Sequence, residues 1–156
     1  MSLAPSRSQK KVLAVASGGG HWVQLLRLAP AFVDFDVTFV GVSQAYRSEV
    51  SDHKFYSVTD ATRWDKIGLL RAAVRLAWIN WKVRPDVVIS TGAAPGYLAI
   101  RLGRLFGART IWLDSIANAD CLSMAGELVG RYADLWLTQW PHLERTEGPY
   151  YRGAVL

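Results

Sequence analysis

Short apolar runs recur along the chain, each followed by small polar residues or by a stretch of helical spacing. Residues 11–16 (KVLAVA) form the first run and end on Ser17-Gly18-Gly19-Gly20. Unbroken apolar character over so few residues predicts a strand buried on both faces, as in a parallel sheet. Beyond the glycines, residues 22–32 carry Val23, Leu26, Leu28 and Ala29 at helical spacing. Residues 36–42 (DVTFVGV) predict a second strand, and 54–58 a short third one at the end of a polar loop over 43–60. Residues 65–83 have helical composition and stop before Pro85. The pattern then predicts a strand over 86–90 (DVVIS), a helix from 96 to 106, a strand over 109–113 (RTIWL), a helix over 123–132 and a last strand over 135–138.

Strands that alternate with helices in this way predict an α/β fold, a Rossmann-like parallel sheet with helices on both faces. The 156 residues show no linker or repeat, so residues 1–156 are expected to form one domain. Ligands bind such sheets at the carboxyl ends of the strands. The conspicuous polar clusters fall there: 17–21, 90–92 and 114–120.

In the first cluster, Ser17, Gly18, Gly19 and Gly20 offer backbone N–H groups that an anion can approach, at the start of a helix that favours negative charge. His21 follows, able to give or take a proton near neutral pH. A solvated histidine on a tight turn is the plainer alternative. The loop is neither a dinucleotide fingerprint nor a P-loop. In the second cluster, Thr91 and Gly92 suit either a second phosphate or sugar contact or close packing of a helix on the sheet. In the third, Asp114 could act as a base or bind sugar hydroxyls, with Ser115 beside it as a candidate acceptor or phosphate contact; helix capping is the alternative.

The helix over 65–83 has two unlike faces. Leu69, Ala73, Leu76 and Val83, with Asn80 among them, should pack on the sheet. Arg71, Arg75, Trp78 and Lys82 lie opposite, with Ile67 and Trp81 nearby. An outward face that mixes Trp with cations suits an anionic membrane surface. Packing of Trp78 under a loop or another subunit is the alternative.

The net charge of +5 points to an anionic partner: a phosphate-bearing ligand, an acidic membrane or nucleic acid. The basic residues are scattered and match no nucleic-acid motif, so that partner is not expected. His21, His53 and His142 lack metal-ligand spacing, and neither a metal nor a cofactor is expected. Cys121, the single cysteine, allows no internal disulfide. Residues 1–11 are polar and basic, unlike a signal peptide, and no segment is long and apolar enough to span a bilayer. A cytoplasmic protein, at most peripheral on the inner face of the cell membrane, is expected.

Taken together, several stretches resemble one family. They are Ala16 to His21 followed by Leu25-Leu26-Arg27-Leu28, then Arg84-Pro85-Asp86 through Thr91-Gly92, then Asp114-Ser115-Ile116, Leu122-Ser123 and Gly126. Ala133-Asp134, Thr138-Gln139-Trp140-Pro141 and Tyr151-Arg152-Gly153 complete the series. This order resembles the acceptor subunit of the two-component N-acetylglucosaminyltransferase of asparagine-linked glycosylation. It also resembles the PssD-type subunits of bacterial polysaccharide biosynthesis, and is similar to the amino-terminal half of MurG. The resemblance implies the amino-terminal half of a glycosyltransferase-B fold. It implies a polyprenyl-diphosphate acceptor and a separate UDP-sugar-binding subunit recruited to the membrane. It also implies that the sugar-nucleotide site is incomplete in this chain. Asp114 stands where the family has glutamate, and Asn118 where it often has arginine; Arg47 and Arg63 are candidates to replace that cation. His21 is the candidate base or diphosphate ligand. A non-catalytic membrane scaffold and a self-sufficient nucleotide-binding Rossmann protein are the alternatives.

Overall fold

A computed structural model describes residues 9–155. Residues 1–8, which hold most of the amino-terminal stretch discussed above, lie outside the described residues, as does Leu156. Seven strands form one sheet: β1 (Lys11–Val15), β2 (Asp36–Gly41), β3 (Lys54–Ser57), β4 (Val87–Ser90), β5 (Arg109–Leu113), β6 (Leu135–Thr138) and β7 (Tyr150–Tyr151). They lie in the order β3-β2-β1-β4-β5-β6-β7, and every neighbouring pair is parallel. The strand order therefore reverses between β1 and β4, which opens a crevice at their carboxyl ends. The apolar runs are buried on both sides as the pattern predicts: Leu13, Val15, Val40 and Val88 face one core layer, Val12, Ala14, Val37 and Phe39 the other.

Helices cover both faces. On one side lie α2 (Lys66–Val83), α3 (Ala93–Leu105) and α4 (Met124–Val129); on the other lies α1 (Gly20–Arg27). The fold is thus α/β and Rossmann-like. Boundaries differ from the sequence reading in instructive ways. The first helix breaks at Leu28, and a 3-10 turn, Ala29–Phe32, continues it around Pro30. α3 begins at Ala93, with Pro95 inside its first turn, where no helical acceptor exists for the missing N–H. β7 is two residues long, too short to leave a pattern, and the loop over 43–60 holds a 3-10 helix, Gln44–Val50.

The largest correction concerns α2. Its buried residues are Gly68, Ala72, Leu76, Ile79 and Asn80, whereas Leu69, Ala73 and Val83 are only half-buried. Leu76 and Asn80 face inward as expected, but the buried face is rotated so that Gly68 and Ala72 join them. Larger apolar residues are left outside. Ile67, Leu70, Val74 and Trp81 each stay between 60% and 66% exposed. With Trp78 they form a row spaced three and four apart along one side of the helix.

Candidate functional site

A cleft of about 790 Å³ opens at the carboxyl ends of β1 and β4. Its polar floor is Ser17, Gly18, Gly19 and His21; Arg63 and Asp60 stand at one side. Its walls are apolar, with Leu69 from α2, Tyr97 and Leu98 from α3, and Met124 and Leu128 from α4. A polar floor with greasy walls suits a ligand with a charged head and a hydrocarbon body.

The glycine turn shapes the floor. Gly19 caps α1 at φ 62°, a left-handed conformation that a side chain rarely adopts. A Cβ at Gly19 or Gly20 would meet nothing within 4 Å, so open space lies over both. The first hydrogen bond of α1 runs from Val23 N–H to Gly19 O at 3.2 Å. The N–H groups of Gly20, His21 and Trp22 therefore have no helical acceptor. No side chain caps this end and no acidic residue occupies the first turn, so its positive partial charge is uncompensated.

His21 is locked to the second cluster. Its Nδ1 lies 2.8 Å from Thr91 O, while Thr91 Oγ1 donates to His21 O at 2.7 Å. A carbonyl oxygen only accepts, so Nδ1 carries the proton. The neutral ring then keeps its lone pair on Nε2, the atom suited to accept a proton from a ligand. Gly92, at φ 143°, lies under the ring, and a Cβ there would collide with His21 Nδ1 and Cε1. Thr91 and Gly92 thus serve the geometry of His21. Thr91 is fully buried with its hydroxyl committed, and neither residue lines the cleft.

Asp114 does not line the cleft either. It is 1% exposed, and its carboxylate accepts from Trp112 Nε1 (3.2 Å), Asn118 Nδ2 (3.2 Å), Ser123 N (2.9 Å) and Ser123 Oγ (2.6 Å). Four donors leave no lone pair directed at a ligand. The geometry corrects the expectation of a base there: Asp114 pins the loop between β5 and α4, and Ser123, which it holds, caps α4. Ser115 is likewise committed. Its Oγ accepts from Gln24 Nε2 at 3.0 Å and from Ala117 N at 3.2 Å. Ser115 is 6% exposed and, like Asp114, does not line the cleft, so the expected contact with phosphate is replaced by a link between the loop and α1.

Gln24 is the residue that sequence reasoning missed. Buried in α1, it accepts through Oε1 from Ile116 N (3.2 Å) and Gln139 Nε2 (2.6 Å). Gln139 also donates to Asp114 O at 2.9 Å and accepts from Val155 N at 2.7 Å. The two amides tie the ends of β5 and β6 and the segment at Val155 to the helix that carries His21. A polar residue on the apolar side of a short helix is the signal that could have exposed it. Of the two candidate cations, Arg63 lines the cleft, whereas Arg47 lies away from it on the 3-10 helix over 44–50.

On the outer side of α2, Arg71, Arg75 and Lys82 are exposed, as expected. Trp78 is 38% exposed; it meets Tyr56 edge-on, and Arg75 and Lys82 lie 4.6 and 4.7 Å from its ring centroid. α2 and α3 contain no acidic residue. Among the described residues, no helix is long and apolar enough to cross a membrane.

No protein-family model matches the chain. Among characterised proteins it is similar to the UDP-N-acetylglucosamine transferase subunit ALG14 of Mus musculus, 23% identical over 96% of this chain and 85% of that protein. The ALG14 subunit of Yarrowia lipolytica is also 23% identical, over 97% of this chain and 84% of its own length. Among solved structures, MurG of Acinetobacter baumannii superposes with a TM-score of 0.74 at 14% identity over 93% of this chain. A UDP-N-acetylglucosamine 2-epimerase from Rickettsia bellii gives 0.72 at 13% identity over 94%. The chain spans 45% of each of these two structures. They share its fold.

Proposed function

Because the chain is homologous to the ALG14 subunits of UDP-N-acetylglucosamine transferase over nearly its whole length, we propose that it is the acceptor-binding subunit of such a transferase. Its partner is a separate subunit that holds the UDP-sugar. Its acceptor is a lipid-linked diphosphate of cell-surface polysaccharide synthesis. The observation that carries the reading is the cleft itself: His21 with a free Nε2 and an unsatisfied helix start form its floor, under apolar walls.

In this reading the acceptor's phosphates sit over Gly19 and Gly20 against the N–H groups of α1, with Arg63 at the side. The sugar hydroxyl to be extended lies at His21 Nε2. As its oxygen bonds to the anomeric carbon of the donor sugar, its proton passes to Nε2 and the bond from that carbon to the UDP oxygen breaks. Thr91 keeps the ring in the accepting tautomer. Asp114 and the Gln24–Gln139 pair are positioning residues. Equilibrium titration of the isolated chain tests the division of labour: it is expected to bind the polyprenyl-diphosphate acceptor saturably and UDP-N-acetylglucosamine not at all. Equal binding of both would favour a self-sufficient nucleotide-binding protein.

The outer row of α2 supports a peripheral seat on the cytoplasmic face of an anionic membrane. A monomer rarely leaves so continuous a line of large apolar side chains in water. Arg71, Arg75 and Lys82 flank it, and at about 1 kcal/mol each near an acidic surface they supply about 3 kcal/mol, enough for reversible attachment. Co-sedimentation with anionic vesicles at low salt is expected to fall steeply for Arg71→Glu/Arg75→Glu and for Trp78→Ala. The wild type is expected to bind less at physiological salt. Equal sedimentation of all variants would move the row to a protein contact.

A further inference from the structure

One side chain reaches the glycine turn from a different quarter of the molecule. Tyr46 stands on the 3-10 helix Gln44–Val50, with its ring stacked on buried Trp22 at a centroid distance of 4.7 Å and an interplanar angle of 13°. Gly41 leaves the slot for that ring, since a Cβ there would come 3.0 Å from Tyr46 Cδ2. At the far end, Tyr46 Oη accepts from Gly19 N–H at 3.2 Å. A Cβ at Gly18 would approach the same oxygen to 2.9 Å. Ring and hydroxyl are therefore held in one place, against the loop that forms the floor of the cleft.

The hydrogen-bond count at this hydroxyl is incomplete. Accepting from Gly19 uses an oxygen lone pair and leaves the phenolic proton uncommitted. Among the described residues, no protein acceptor takes that proton, and Tyr46 is half-exposed. A hydroxyl that accepts from a backbone N–H is polarised toward donation. Tyr46 is not itself among the residues that line the cleft, but its hydroxyl stands against Gly18 and Gly19, which do, and so adds a neutral donor beside the backbone N–H groups and His21.

We propose that Tyr46 is a specificity-determining residue for the acceptor: its hydroxyl donates to a phosphate oxygen seated on the glycine loop. The proposal rests on the cleft being the acceptor site. It adds a side-chain donor that recognises phosphate without adding charge.

The probe is inorganic diphosphate, titrated calorimetrically into the full chain as wild type, Tyr46→Phe, Gly18→Ala and the double variant. Tyr46→Phe keeps the ring and its stack on Trp22. It is expected to bind diphosphate about tenfold more weakly at an unchanged melting temperature, the usual effect of one lost hydrogen bond to a charged group. Gly18→Ala displaces the hydroxyl without removing it and is expected to give a similar loss. In the Tyr46→Phe background the added methyl has no oxygen to meet, so the double variant should match Tyr46→Phe alone. Equal affinity in a folded Tyr46→Phe chain, tighter binding by that variant, additive losses in the double variant, or no binding by the wild type would each overturn the proposal. If Tyr46→Phe is unstable, Gly18→Ala carries the comparison. In the assembled transferase, Tyr46→Phe should raise the KM for acceptor and leave kcat and the KM for UDP-sugar unchanged. Absence of transfer by the wild-type complex would sink the transferase reading while leaving the diphosphate result standing.

Discussion

Replacing His21 by alanine in the assembled transferase is expected to lower kcat by about a hundredfold or more, the usual range for a lost general base. The fold should survive, because the ring makes a single hydrogen bond, Nδ1 to Thr91 O, and His21 is only half-buried. Assembly with the donor-binding partner should also survive. A KM for acceptor that rises while kcat holds would reassign His21 to phosphate binding. Turnover unchanged in an intact complex would turn the chain into a membrane scaffold that positions a catalytic partner and does no chemistry.

The second large effect falls on stability. Asp114→Ala strands four donors, among them the buried indole N–H of Trp112 and the N-cap residue of α4. The loss is expected to be about 3 kcal/mol. For a domain of this size that corresponds to a fall of roughly 10 °C in melting temperature. Urea unfolding of wild type and variant measures it. A change under about 1 kcal/mol would mean that the loop between β5 and α4 is held by other contacts. Asp114→Asn should lie between the two, since an amide retains one accepting oxygen. The contrast with His21 is informative. One substitution is expected to remove chemistry and spare the fold, the other to loosen the fold and spare the proposed reacting group.

Most of the sheet was legible in the sequence because its strands are buried on both faces and so appear as unbroken apolar runs. Runs such as 11–16 and 109–113 have few alternatives once Gly or small polar residues close them. The glycine turn and His21 were legible for a related reason: they sit where a parallel strand must hand over to a helix. The failures have physical causes too. Periodicity correctly puts Leu76 and Asn80 inward but misjudges the rotation of α2 about its axis, since Leu69, Ala73 and Val83 are only half-buried. Gly68 and Ala72, weak in any hydropathy count, allow the closest packing and win the interior. The stronger apolar residues Leu70 and Val74 are left outside. Asp114 looked like a reacting group and Ser115 like a phosphate contact because polar residues at a strand's end suit both ligand contact and loop closure. Only their partners, Ser123, Asn118 and Gln24, decide between the two. Those partners lie as far as 91 residues away in the chain, beyond any local pattern.

The central claim is that acceptor and donor are bound by different subunits and that this chain supplies the acceptor side. Its most direct test is transfer of N-acetylglucosamine from the UDP-sugar to a polyprenyl-diphosphate acceptor in three mixtures: the chain alone, the donor-binding partner alone, and both together. The account predicts product only when both are present, with His21→Ala abolishing most of it and leaving the complex intact. Robust transfer by this chain alone, or full transfer by the partner without it, would contradict the account.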